Sequence, residues 1–326
     1  MIEVRNLTKH YGPTRALDSV SFTVPTGQIL GFLGPNGAGK TTAMKIITGY
    51  MPPTEGEVVV DSLDAIEQSL EVRRKIGYLP ESTPLYTDMN VIDYLNFVQR
   101  LRGIPKSEHT TRNKRMIELC GLGEVVRKDI GELSKGYRQR VGLAQAMVHD
   151  PEILILDEPT VGLDPNQIVE IRNLIQTLGR EKTLILCTHI LPEVEAACRR
   201  VLIINRGRIV ADGTTSELRA AASGRDRLTV EIKGPEGEVR QALEQVNGAA
   251  RVAHADDGDR PPADTSTARF VVESAPGRDL RETIFTLVRD RSWILLEMRR
   301  DAVRLEDVFR QLTRDTQADR EEASVS

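Results

Sequence analysis

The sequence predicts an α/β fold followed by a small α+β unit, and three observations carry that prediction. Short apolar runs alternate with stretches of helical spacing across residues 1–220, the pattern of an α/β fold. A glycine-rich loop at residues 34–42 sits between the apolar run Ile29-Leu30-Gly31-Phe32-Leu33 and a helical segment. Near residue 221 the pattern changes to β-α-β-β-α-β, the order of a ferredoxin-like unit. A chain of 326 residues is also long enough for two domains.

Composition narrows the classes. Hydrophobic residues make up 40% and charged residues 28% of the chain, which excludes a disordered protein. A formal net charge of -4 leaves no overall basic surface to recruit nucleic acid or anionic lipid. No apolar run reaches the ~18–20 residues needed to span a bilayer, and the N-terminus lacks a signal-peptide pattern. Any membrane role is therefore expected to come through another polypeptide. Cys120, Cys187 and Cys198 are isolated, as buried apolar groups in a reducing cytoplasm would be.

Taken in order, Ile2–Leu7 and Val20–Val24 read as strands of an antiparallel layer, with Tyr11-Gly12-Pro13 turning between them. Strand 29–33, the glycine-rich loop and a helix from Thr42 to Thr48 follow. Residues 91–126 read as mainly helical, broken at Gly103-Ile104-Pro105. Leu154-Ile155-Leu156 and Leu184-Ile185-Leu186 are continuous apolar runs, typical of strands buried on both faces of a parallel sheet. Residues 1–220 form the first domain, 221–227 a linker, 228–313 the small domain, and 314–326 a charged, disordered tail. Within 228–313, strands are expected near 228–232, 249–253, 270–272 and 293–298, with helices near 239–246, 280–288 and 305–312. A polar loop spans 256–262, and His254 with Asp256 and Asp257 reads as part of a solvated segment.

The chemistry begins at Gly34-Pro35-Asn36-Gly37-Ala38-Gly39-Lys40-Thr41-Thr42, which fits the phosphate-binding pattern G-x-x-x-x-G-K-[ST] in its strand–loop–helix setting. Its glycines let backbone N–H groups turn toward a polyphosphate. Lys40 can reach the β- and γ-phosphates, and the Thr41 hydroxyl can help hold Mg²⁺. Ile153-Leu154-Ile155-Leu156-Asp157-Glu158 is a buried strand ending in two acids. Asp157 suits Mg²⁺, and Glu158 suits a general base acting on a water beside the γ-phosphate. Ser134 and Gly136, at the start of a helical stretch, offer a hydroxyl and N–H groups to an anion.

Here the sequence resembles the ATP-binding cassette (ABC) family over residues 1–218, with every motif in family order. Leu133-Ser134-Lys135-Gly136-Tyr137 stands where the family signature reads Leu-Ser-Gly-Gly-Gln, so Lys135 and Tyr137 depart from it. Gly162-Leu163-Asp164 matches the D-loop, His189 the switch histidine, and Tyr11 the aromatic that stacks on adenine. Glu81, in Tyr78-Leu79-Pro80-Glu81, replaces the family glutamine that contacts Mg²⁺ and the attacking water. Wording such as Leu-Ser-Lys-Gly-Tyr-Arg-Gln-Arg is most similar to ATPase subunits of ABC-2 type exporters, in their gliding-motility-associated and copper-processing-related branches.

The resemblance implies an ABC-type P-loop NTPase domain with a mixed sheet core, an antiparallel β layer and a helical subdomain. It implies ATP and Mg²⁺ as cofactors, hydrolysis at Glu158 with His189 on the γ-phosphate, and a head-to-tail dimer of two copies. It also implies a separate membrane-spanning permease docking on the helical segment from about Val91 to Val126, with Pro84-Leu85-Tyr86 as part of the groove, export as the direction and no nucleic acid as partner. The chain would then lie peripherally on the inner face of the cell membrane. A soluble, non-transport ABC ATPase and a nucleotide-sensing regulatory module are the alternatives.

Overall fold

The computed structural model describes residues 1–222, 227–255, 267–275, 278–301, 305–310 and 312–313. These divide into two compact units, residues 1–215 with 312–313, and the described residues of 216–310.

The first unit opens with β1 (Ile2–Tyr11) and β2 (Thr14–Val24), an antiparallel hairpin turning at Gly12-Pro13. Ile2 and Val4 are buried while Glu3 and Arg5 face outward, the alternation of a sheet with one wet face. Next come β3 (Ile29–Leu33), α1 (Lys40–Ile47), β4 (Glu55–Val60), β5 (Leu63–Asp64), α2 (Ser69–Lys75) and β6 (Ile76–Leu79). The helical subdomain holds α3 (Val91–Leu101), α4 (Lys106–Cys120) and α5 (Lys135–Met147). Asn90 caps α3 by accepting the Asp93 N–H at 2.9 Å, and Gly121 closes α4 at φ 62°. The unit continues with β7 (Ile153–Asp157), α6 (Pro165–Leu178), β8 (Thr183–Thr188), α7 (Leu191–Ala197), β9 (Arg200–Asn205) and β10 (Arg208–Thr214).

Two sheets result. The antiparallel one has order β2-β1-β4-β5, and the six-stranded one has order β10-β9-β3-β8-β7-β6. In the latter, only β10 runs antiparallel. Every residue of β7 and β8 is buried, which is why those strands are continuous apolar runs. Leu30, Phe32, Met44, Ile155 and Ile185 join Val4, Leu17 and Phe22 of the antiparallel layer in one core.

The parallel register sets the functional geometry. Leu79 lies beside Leu156, Asp157 beside Cys187, and Leu33 beside Thr188. Four strands therefore end level with one another, and Glu81, Asp157-Glu158, Thr188-His189 and Gly34 all emerge at one edge. Ligands of open α/β sheets bind at that carboxyl edge.

The second unit contains most of α8 (Thr215–Ala222), then β11 (Arg227–Lys233), α9 (Glu236–Glu244), β12 (Ala249–His254), β13 (Thr267–Ser274), α10 (Arg281–Asp290) and β14 (Ile294–Asp301). Its antiparallel sheet has order β12-β13-β11-β14, as a ferredoxin-like βαββαβ unit requires. Val230, Ile232, Phe270 and Val272 pack under Val239, Leu243, Ile284 and Val288 of its helices.

The structure corrects some boundaries. The division falls at Thr215/Ser216 rather than at 220, and residues 221–222 finish a helix instead of opening a linker. A good helix-forming run, Glu-Leu-Arg-Ala-Ala-Ala, explains the extension. Residues 305–310 are helical as expected. The polar loop 256–262, with Asp256 and Asp257, and the tail 314–326 lie outside the described residues.

Candidate active site

Between β3 and α1 the chain must reverse over a very short path, and two glycines make this possible. Gly39 adopts φ 104°, and a Cβ there would lie 2.5 Å from the Ala16 carbonyl oxygen. A Cβ at Gly34 would lie 2.5 Å from the Ile204 carbonyl oxygen. Gly39→Ala is expected to cost about 1–3 kcal/mol of stability through backbone strain. A lowered denaturant midpoint with unchanged slope checks it.

The loop borders a cavity of about 320 Å³ lined by Ala16, Asn36, Gly37, Gly39, Lys40, Thr41, Thr42, Glu81 and Glu158. Lys40 is 6% exposed. It donates to the Gly34 carbonyl at 2.8 Å and the Pro35 carbonyl at 3.2 Å, and its Nζ lies 3.5 Å from Glu158 Oε1. The ammonium is thus held beside both the loop that would cradle phosphates and the acid that would activate water.

Glu158 follows β7 in a left-handed conformation, φ 52°, with its N–H bonded to the Cys187 carbonyl at 2.8 Å. That turn aims the side chain sideways across the sheet edge. His189 Nδ1–H donates to Glu158 Oε1 at 2.9 Å. Behind them, Thr188 Oγ lies 3.2 Å from Glu158 Oε2.

Asp157 is the group best fitted to a magnesium ion. It is fully buried, and neither carboxylate oxygen has a hydrogen-bond partner. Burial pushes its pKa above the usual carboxylate range, and the nearby Glu158 and Glu81 charges push the same way. The Thr41 hydroxyl and Cys187 thiol lie close enough to offset part of that rise. Among the described residues no cluster of three or more His, Cys, Asp or Glu would hold an ion by itself. Mg²⁺ takes one or two carboxylates and fills its shell with phosphate oxygens and water, so Asp157 beside the Thr41 hydroxyl would be enough protein ligation.

The raised value has a stability consequence. The folded chain holds this proton more tightly than the unfolded one, so stability falls as pH rises from the ordinary carboxylate range through the raised value. Asp157→Asn is expected to raise the melting temperature of the nucleotide-free chain at pH 7. It should also abolish the extra stabilisation that Mg²⁺ adds to bound ATP. Thermal melts with ATP, with and without Mg²⁺, read both.

Other residues singled out in the sequence stand apart from this cavity. Ser134 caps α5, its Oγ accepting the Tyr137 N–H at 3.4 Å. The neighbouring Gly136 packs on Gln167, where a Cβ would come within 2.4 Å of the side-chain oxygen. Lys135 Nζ sits over Gly162, at 2.1 Å from where a Cβ would be. The signature residues therefore rest on the D-loop and α6 of their own chain, and neither Ser134 nor Gly136 lines the cavity. Asp164 caps α6 through the Gln167 N–H at 2.9 Å. Tyr11 is half-exposed, donates to Met51 Sδ at 3.2 Å and lies under Lys9, also off the cavity lining.

Sequence reasoning missed Ala16, Thr188, Thr160 and Glu193. Thr160 Oγ donates to Glu193, whose other oxygen lies 3.2 Å from Thr188 Oγ. Their one sequence signal was adjacency: Thr188 precedes His189, and Thr160 follows the paired acids.

Residues 17–161 match the family model described as ABC transporter. ABC transporter ATP-binding protein NatA of Bacillus subtilis (strain 168) is 36% identical over 214 residues, 65% of this chain and 87% of that protein. The bacitracin transport ATP-binding protein BcrA of Bacillus licheniformis is 36% identical over 214 residues, 65% of this chain and 69% of that one. A dimeric structure of the ATP-binding cassette MJ0796, in a post-hydrolysis state bound to ADP and Pi, superposes with a TM-score of 0.61 at 25% identity. The match covers 66% of this chain and 98% of that one. With a phosphate loop, a buried acid pair and a histidine on the second acid at one sheet edge, the chain belongs to the ABC transporter family, as an ATP-binding ATPase of the ABC-2 exporter type.

Proposed function

We propose that two copies of this chain close head-to-tail on two ATP molecules and thereby drive a separate membrane-spanning permease, in the direction of export. One observation carries the reading. The cavity gathers Lys40, Thr41, Glu81 and Glu158, while Ser134 and Gly136 lie off it on the α5 terminus. A single copy thus holds half of each site, and a second copy supplies the missing anion contacts. The dimeric form of the related MJ0796 cassette supports this.

Within each site the residues have separable tasks. The phosphate-loop N–H groups and Lys40 hold the polyphosphate, and Ser134 of the second copy closes over it with charge-assisted hydrogen bonds. Thr41, Asp157 and Glu81 would hold Mg²⁺, which would supply Lewis-acid neutralisation of the phosphate charge. Glu158 Oε1 takes the proton of the attacking water. His189, whose Nδ1 is taken by Glu158, has Nε2 left to meet a phosphate oxygen. Loss of the γ-phosphate removes the bridge and lets the copies part.

The permease contact belongs on the loop after Glu81. Tyr86 is 56% exposed yet held in place by Phe97 at 5.3 Å and Tyr94 at 6.1 Å between ring centroids. Pro84 is exposed beside it. No described helix is long and apolar enough to cross a membrane, so the membrane-spanning part is assigned to another chain. The protein then lies on the inner face of the cell membrane through that partner, with the gliding-motility and copper-processing branches as its kin. Leu85→Ala with Tyr86→Ala is expected to abolish transport while basal ATP hydrolysis stays within about twofold, and unchanged transport would remove the docking assignment.

The decisive experiment is purification of tagged Glu158→Gln chain from gently solubilised membranes with ATP, followed by identification of what accompanies it. A polytopic membrane protein in near-equal amount supports the reading. Recovery only from the soluble fraction, alone or with ribosomes, favours the non-transport alternative.

A further inference from the structure

Behind Glu158 lies a second carboxyl group that phosphate-loop chemistry leaves unused. Glu193, on α7, is 3% exposed, in contact with Thr160 (2%) and Thr188 (0%). Its Oε1 accepts from Thr160 Oγ, and its Oε2 lies 3.2 Å from Thr188 Oγ. That same Thr188 Oγ is 3.2 Å from Glu158 Oε2 and accepts the Ile190 N–H at 3.1 Å. One hydroxyl thus stands between two buried carboxyl groups 35 residues apart in sequence.

Counting protons settles the direction of these bonds. Thr188 Oγ has one proton to give and two lone pairs to fill. If both carboxyl groups were ionised, that single proton would serve two acceptors, and two like charges would face each other in a dry region. A proton on either acid removes the conflict; Glu158 Oε1 faces the Lys40 ammonium at 3.5 Å and the His189 N–H at 2.9 Å, so the proton is placed on Glu193. Glu193 Oε2–H then donates to Thr188 Oγ, Ile190 N–H fills the second lone pair, and Thr188 Oγ–H points at Glu158 Oε2. Every donor and acceptor has one partner.

We propose that Glu193 is a positioning residue for hydrolysis: as a neutral acid it orders the Thr188 hydroxyl, which pins Glu158 Oε2 and leaves Oε1 facing the cavity. This rests on the reading of Glu158 as general base. The charges facing Glu193 agree with a retained proton. Burial raises its pKa and Glu158 adds to the rise, while the Thr160 and Thr188 hydrogen bonds and the Arg172 charge from α6 act the other way; the net direction is upward. The arrangement also explains why an acid in an unusual backbone conformation holds a single orientation. Its front oxygen meets His189 and Lys40, and its rear oxygen meets Thr188.

The test is a double-mutant cycle on steady-state ATPase activity of the full chain. Glu193→Ala is expected to lower kcat about 10–100-fold, the cost of a small misplacement at a reacting group, with KM for ATP within about twofold. Glu193→Gln should restore most of kcat, because its amide NH₂ can donate to Thr188 while its carbonyl accepts from Thr160. Thr188→Val should match Glu193→Ala, Thr188→Ser should keep the rate, and the Ala/Val double variant should lose no more than either single one. Additive losses, a Gln variant as slow as the Ala variant, or a full rate in Glu193→Ala would each overturn the proposal. Should Glu193→Ala not fold, Glu193→Gln and the Thr188 pair decide it alone. Glu158→Gln run in parallel separates the premises: normal turnover there defeats the base assignment itself. An inactive Glu158→Gln beside a fully active Glu193→Ala defeats only this inference.

Discussion

Glu158→Gln is expected to bind ATP, persist as a closed dimer and lose turnover about 10²–10⁴-fold, the usual contribution of a positioned base. The substitution keeps size and shape in a site where Glu158 is 4% exposed. The amide carbonyl can still accept from His189 Nδ1–H or Thr188 Oγ–H, so the local fold should hold. What disappears is the oxygen lone pair basic enough to take a proton from water. Phosphate release at saturating ATP gives the rate, and gel filtration with ATP gives the dimer. Normal turnover would move the base elsewhere.

Lys40→Ala should act one step earlier, on binding. A charge-assisted hydrogen bond contributes about 1.5–3 kcal/mol, so loss of this ammonium should weaken ATP affinity about 10–100-fold. The side chain's bonds go to carbonyls of its own loop, at Gly34 and Pro35. The fold should therefore survive, and a melting curve serves as the control. Calorimetric titration with ATP reads the effect, and undiminished affinity would contradict the phosphate contact. The variant also strips a positive charge 3.5 Å from Glu158 Oε1. Turnover at saturating ATP should fall as well.

The phosphate loop was legible because its constraints are local. Gly34, Gly39, Lys40 and Thr41 act through the backbone of one continuous segment, and the flanking apolar strand is adjacent in sequence. The acid pair was legible for a similar reason, since the four-residue apolar run Ile153–Leu156 leading into Asp157-Glu158 announces a buried parallel strand. Strands β4, β5, β9 and β10 and helix α2 were not read: β5 has two residues and β10 is nowhere fully buried, so neither shows an apolar run. Helix α8 was not read either, and the linker was placed at 221 because the composition shifts there although the helix runs on to Ala222.

By itself, then, the sequence determined that a nucleotide-binding α/β unit precedes a βαββαβ unit, and which residue types were available for phosphate, metal and water. Those properties follow from local backbone preference and from the period of apolar residues, both readable within a window of a few turns. Only the tertiary structure decided that four parallel strands end level, with Leu79 beside Leu156, Asp157 beside Cys187 and Leu33 beside Thr188. That register places His189 and Lys40 within hydrogen-bonding or ion-pair reach of Glu158. It also brings Thr188 and Glu193 behind the base and leaves Ser134 off the cavity. Pairing partners 30 to 155 residues apart is a matter of sheet order and buried hydrogen bonds, which no single stretch of sequence encodes.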